Sequence, residues 1–330
     1  MSFIFLPSLQ HLAAVKVALA VYYDDIIQLS GESILSDEVC RTTYKESWIM
    51  IQKIASVKLS KLLPESLQKQ VVQLIQPMSS EAQIWITNHS VIKKHVKKDF
   101  ANNLCWKPEG TIDRIKTAKQ FIQNKKIDTR VRFVIACIYF LESEILTLWR
   151  EMSAFRRMSI PRIDTNIVVR FWMKRLKKRD ISPWTQAIGE YLETEFEYRD
   201  TDSPFRLSSF YIALDRETRW TYISQLWPWI THVDDLLYCI YQMDVTERHE
   251  TLRRMPTKVL HCYLRWPLQS LFLDIADSMR SRLSASCLKT VLHNIEKKNI
   301  MQGIQDFDYL KLHKDFSDLI PDIQNELIKK

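Results

Sequence analysis

The stretch GTIDRIKTAKQFIQNKKIDTRVRFVIACIYFLESEILTLW, residues 110–149, decides the fold class. Ile112, Ile115, Ala118, Phe121 and Ile122 recur at spacings of three and four, which places them on one face of a helix. Thr111 stands where an N-cap is expected. Residues 123–127 are polar, and Asp128 can cap a second helix running through Phe133, Ala136, Cys137, Phe140, Leu141, Ile145 and Trp149. The first half of that helix is apolar on nearly every side, as in a helix enclosed by neighbours. Two such helices with a short connection make an αα-hairpin.

The pattern extends outward in both directions. Helical periodicity is read at about 9–29, 38–60, 65–76, 79–98, 165–179 and 183–198. In the last third it recurs at 206–213, 216–225, 229–242, 246–253, 256–264, 268–279, 284–298 and 316–328. Prolines such as Pro64, Pro77, Pro108, Pro161, Pro183 and Pro256 are placed between these segments or at their first positions, where a missing N–H costs little. Only 4 glycines occur among 330 residues. A many-stranded sheet, a Rossmann fold and a P-loop all need more bare backbone than that. The expected fold is therefore all-α, a multihelical array of αα-hairpins, with a divergent α-solenoid and a compact multihelical body both open. No fixed repeat period is found. The least helical stretches, near residues 153–161 and 200–204, suggest an N-terminal helical lobe (1–152), connecting basic and acidic helices (153–205) and a C-terminal helical lobe (206–330).

Residues 110–119 (GTIDRIKTAK), Arg132-Phe133, the run from Ala136 to Tyr139 and Leu148-Trp149 resemble a multicopy family of uncharacterised proteins associated with spider genomes. Ser8 to Ala13 and Lys16 to Ala18 are similar to that family's opening. The resemblance covers the first half best; it implies helical structure and carries no known activity or catalytic residue.

The six cysteines are scattered singly, without a C-x-x-C pair, as expected of small hydrophobes in a reduced compartment. Residues 1–23 are apolar but lack a basic start, and Lys16 interrupts them; they are read as a buried helix rather than a signal peptide. No membrane span is expected, and the expected setting is intracellular and cytoplasmic.

Residues 150–179 hold ten basic residues against Glu151 and Asp164, a net of +8 equal to that of the whole chain. Arg170, Lys174, Lys177 and Lys178 fall on one helical face and are candidate contacts for nucleic acid, another polyanion or a protein partner. The competing reading is neutralisation by the acidic residues at 190–202. Trp227 and Trp229, around Pro228, are a candidate aromatic surface, against core packing as the alternative. His232, Asp234 and Asp235 form a polar knot read as helix capping. Leu9, Ala13 and Val17 resemble the elongin-binding box of SOCS-box adaptors, although Ala13 replaces the usual cysteine. Exposure of Leu9 and Val17 is the observation that tests this. No metalloprotease, nucleophile-elbow, deaminase or Walker motif is found, so no catalytic residue, metal ligand or cofactor is nominated. The expectation is a non-enzymatic interaction or scaffold protein with an unidentified protein partner, the alternatives being a polyanion-binding protein and an adaptor.

Overall fold

The computed structural model describes residues 7–21, 41–89, 103–160, 167–195, 206–226, 235–300 and 307–319. The fold is all-α: among these residues the only β pairing is an isolated antiparallel bridge between Trp106 and Ile112. The helices of the first half are α1 (Leu9–Val21), α2 (Arg41–Leu59), α3 (Glu65–Thr87), α4 (Arg114–Gln123), α5 (Thr129–Ile138), α6 (Glu142–Glu151) and α7 (Ala154–Ser159). Then come α8 (Ile167–Lys178), α9 (Trp184–Glu195), α10 (Arg216–Thr221), α11 (Asp235–Gln242) and α12 (Val245–Arg254). The last four are α13 (Pro256–Tyr263), α14 (Phe272–Ser278), α15 (Ala285–Asn294) and α16 (Tyr309–Asp318).

The chain divides into two compact units, and the division does not follow the boundaries expected at 152 and 205. One unit comprises residues 1–81, 107–111 and 243–330; the other comprises 82–106 and 112–242. Composition shifts mark contiguous lobes, whereas the units are set by which apolar faces meet.

In the second unit α5 is the centre. Val131 and every residue from Phe133 to Ile138 are buried, and α4, α6 and α8 pack around it. Asp128 caps α5 as expected: its carboxylate accepts from the Arg130 N–H at 2.8 Å. Two expectations change here. The cap of α4 is Asp113, accepting from Lys116 N–H at 3.0 Å, because Ile112 is taken up by its bridge to Trp106. The second helix also does not run through to Trp149. It ends at Ile138, where the Leu141 N–H donates to Ala136 O (3.0 Å) and the Phe140 N–H to Cys137 O (3.1 Å), with Phe140 at φ +52°. This is a Schellman end with phenylalanine in the left-handed position usually taken by glycine. That conformation costs about 1 kcal/mol or more for an L side chain. Aromatic packing offsets it, since the Phe140 ring lies 4.6 Å from Phe210, 4.9 Å from Trp184 and 6.0 Å from Trp172.

In the first unit α13 packs against α12, α14 and α15, and α16 closes on α14 and α15. Phe272 and Phe316 meet edge to face at 5.0 Å. The sequence begins a last helix near 316, whereas α16 starts at Tyr309 behind an Asp308 cap. The break expected at Pro77 is absent: α3 continues through it. A proline in mid-helix has no N–H for the carbonyl four residues earlier, here Gln73. Burial of Pro77 and Met78 holds the helix together across the gap.

Candidate functional site

The first unit contains a cleft of about 350 Å³ assembled from four stretches far apart in sequence. Ser8, Gln10, His11 and Ala14 come from the start of α1, Gln70, Gln73 and Leu74 from α3, and Trp266, Pro267, Gln269, Ser270 and Phe307 from the C-terminal part. Its size is at the lower end of small-ligand sites.

Each wall is held by identifiable contacts. Ala14, Val15, Ala18 and Val21 bury one face of α1. The Gln10 side-chain amide donates to Gln70 Oε1 at 2.7 Å and ties α1 to α3. Arg265 pairs with Glu81 on α3 at 3.5 Å, which fixes the corner carrying Trp266. Gln269 donates to the Tyr309 hydroxyl at 3.0 Å. A turn at residues 107–110, closed by the Gly110 N–H to Lys107 O bond (2.9 Å), reaches both α1 and Trp266. There the His11 Nε2 lies 3.0 Å from Glu109 O. Gly110 has φ +92°, and a Cβ placed on it would stand 2.6 Å from Trp266 Cη2 and 3.2 Å from Val15 Cγ2. Glycine is required at this point both by the backbone and by the close approach.

The cleft's chemistry is distinctive for what lines it. None of its side chains is a carboxylate, ammonium or guanidinium, although such residues make up 26% of the chain. Four glutamines supply both donors and acceptors, and Trp266 and Phe307 supply aromatic surface.

Leu9 and Ala13 stand beside the cleft residues on α1 and face outward; Leu9 is 85% exposed, and Val17 is half-buried. The N-terminal helix is thus not enclosed, contrary to the buried helix expected there. Its outer face carries Leu9, Ala13 and Ala20 together with the exposed Lys16.

The basic helix α8 is in the second unit. Lys174, Lys177 and Lys178 are exposed, while Arg170 is only half-exposed. The four are therefore not equivalent. Lys174 Nζ sits 5.2 Å from the centre of the Tyr191 ring on α9. Arg175 turns inward, buried, and pairs with Asp180 at 2.9 Å. The acidic residues offered as neutralising partners lie outside the described side chains, as do Trp227 and Trp229, His232 and Asp234. Asp235 does not act as a simple cap. Fully buried at the start of α11, it accepts from the Ser208 N–H (2.7 Å) and hydroxyl (2.6 Å) and faces Arg206 Nη1 at 3.5 Å. Arg206 in turn lies 5.8 Å from the Tyr139 ring.

Among the described residues no group of three or more His, Cys, Asp or Glu is placed to hold a metal ion, and no helix is long and apolar enough to cross a membrane. Cys105, Cys137, Cys239, Cys262 and Cys287 are in the reduced, thiol form. Burial pushes the Cys287 thiol up, against a bond from Thr257; a thiol held protonated is a poor nucleophile. Compared with protein-family models, with curated proteins and with solved structures, the chain matches none.

Proposed function

We propose that this is a non-enzymatic interaction protein that takes an uncharged segment of a partner protein along α1, using the outer face at Leu9 and Ala13 and the adjoining cleft. The observation that carries the reading is the uncharged lining of the cleft beside an exposed leucine. An extended peptide needs hydrogen-bond donors and acceptors in alternation and no counter-charge. The side-chain amides of Gln10, Gln70, Gln73 and Gln269 offer that, while Trp266 and Phe307 give apolar contact. The adaptor expectation for Leu9, Ala13 and Val17 uses the same helix. Exposure of Leu9 and Ala13 supports it, and the half-buried Val17 supports it less.

Selection of a random-peptide display library on the full-length protein tests this. Enriched peptides are expected to be neutral, to bind independently of salt, and to lose tenfold or more on Leu9→Glu or Gln73→Glu. Enrichment of acidic peptides that bind both variants as well as the parent protein refutes the reading.

A further inference from the structure

We propose that the turn closing α8 docks on an anionic membrane surface, with Ile181 entering the lipid between the phosphate contacts of Lys177, Lys178 and Arg179. Ile181 is 98% exposed, the three cations before it are exposed too, and all four belong to one turn of chain. A single exposed aliphatic residue is ordinary on a protein surface. What sets this one apart is that the turn holding it out is tied down.

α8 ends as α5 does. The Asp180 N–H donates to Arg175 O (3.1 Å) and the Arg179 N–H to Leu176 O (3.3 Å), with Arg179 at φ +54°. Asp180 then accepts from both the N–H (2.9 Å) and the hydroxyl (2.7 Å) of Ser182 through one oxygen. Its other oxygen takes Arg175 Nη1 at 2.9 Å, and the same Nη1 donates to the Ser182 hydroxyl at 3.2 Å. The one carboxylate of the turn is thereby committed to Arg175, which is buried and cannot meet a ligand. Asp180 stays partly exposed, but against the exposed Lys177, Lys178 and Arg179 the outward charge is net positive, with isoleucine at the tip.

Cations around a protruding aliphatic side chain match a lipid surface, where headgroup phosphates meet the cations and the acyl region takes the side chain. Phosphate contact with nucleic acid uses the cations but leaves Ile181 in water unless a base step is unstacked to admit it, at a free-energy cost that a lipid surface does not impose. A second element of the same unit repeats the chemistry: on α7, Phe155 (76% exposed) and Met158 (69%) alternate with the exposed Arg156.

The test is flotation of the full-length protein with vesicles of phosphatidylcholine alone or with about a third phosphatidylserine. Binding is expected only to the mixed vesicles and should weaken as salt rises. Ile181→Ser should reduce it roughly tenfold, and Lys177→Glu with Lys178→Glu should reduce it at least as much. Leu310→Ser, another exposed apolar position in the first unit, should leave it unchanged. All these side chains are exposed, so equal thermal melting is expected to show intact folding in each variant. If a melt does shift, a polarity-sensitive dye on Ile181→Cys reports insertion directly by a blue shift on the mixed vesicles. Failure to float, flotation indifferent to Ile181→Ser, or retention on duplex DNA in preference to vesicles each overturns the proposal.

Discussion

Gly110→Ala is the substitution whose effect the structure fixes most tightly. The residue sits at φ +92°, and its new methyl would meet Trp266 Cη2 at 2.6 Å and Val15 Cγ2 at 3.2 Å. The backbone strain costs about 1–2 kcal/mol for an L residue, and forcing a methyl against a fixed ring adds about 1–3 kcal/mol. A loss near 3 kcal/mol follows. In a unit of this size each kcal/mol lowers Tm by roughly 2–4 °C, so the fall should be about 6–12 °C. Thermal unfolding of the full chain followed by tryptophan fluorescence measures it, because Trp266 is the ring displaced. Gly189→Ala is the matched control. Gly189 lies inside α9 with nothing within 4 Å of a new Cβ, so alanine there should be neutral or stabilising by up to about 1 kcal/mol. A Gly110→Ala protein that melts with the parent would refute the close approach of the turn to Trp266.

Arg179→Gly removes a left-handed strain at an exposed site and should stabilise by about 1 kcal/mol in chemical denaturation, whereas Phe140→Gly, at the same kind of helix end, should destabilise by about 2 kcal/mol or more because the ring's contacts with Trp184 and Phe210 are lost. Asp128→Ala should cost about 1 kcal/mol as a lost cap. The Arg130 side chain beside it holds the Asp128 carboxyl down at about 2. Its stabilising contribution is therefore complete above pH ~4 and fades as pH falls toward 2, and the alanine variant should lack that part of the acid-unfolding slope. Asp235→Ala leaves the buried Arg206 without its carboxylate and should cost about 3–5 kcal/mol, read in a urea melt; a loss below about 1 kcal/mol would mean the pair is not buried in solution.

The helices were legible where one face repeats, as in α4, α5 and α8, and their caps where a carboxylate precedes the run, as at Asp128. The end of α5 was not, because helix stops are read from glycine and this chain puts Phe140 there. Pro77 misled in the opposite sense: burial around it outweighs the hydrogen bond it removes. On α8 the register separates the inward cation from the outward ones. Arg175 lies four residues after Phe171 and seven after Val168, on the apolar side, which is why it is buried. Lys174, Lys177 and Lys178 face out as their spacing indicated. The cleft had no sequence signal at all. Its residues come from chain positions near 10, 70, 268 and 307, and only the tertiary packing of the first unit brings them together.

That packing has a consequence for how the chain is made. The second unit is nearly continuous, so all of it has been synthesised before Met243 is added. The first unit is split around it. At roughly 5–20 residues per second, on the order of ten seconds separates the emergence of Gly110 from that of Trp266, the ring its turn abuts. Throughout that interval Val15 on α1 and the Gly110 turn have each other but not Trp266, so the first unit can close only when its C-terminal part arrives.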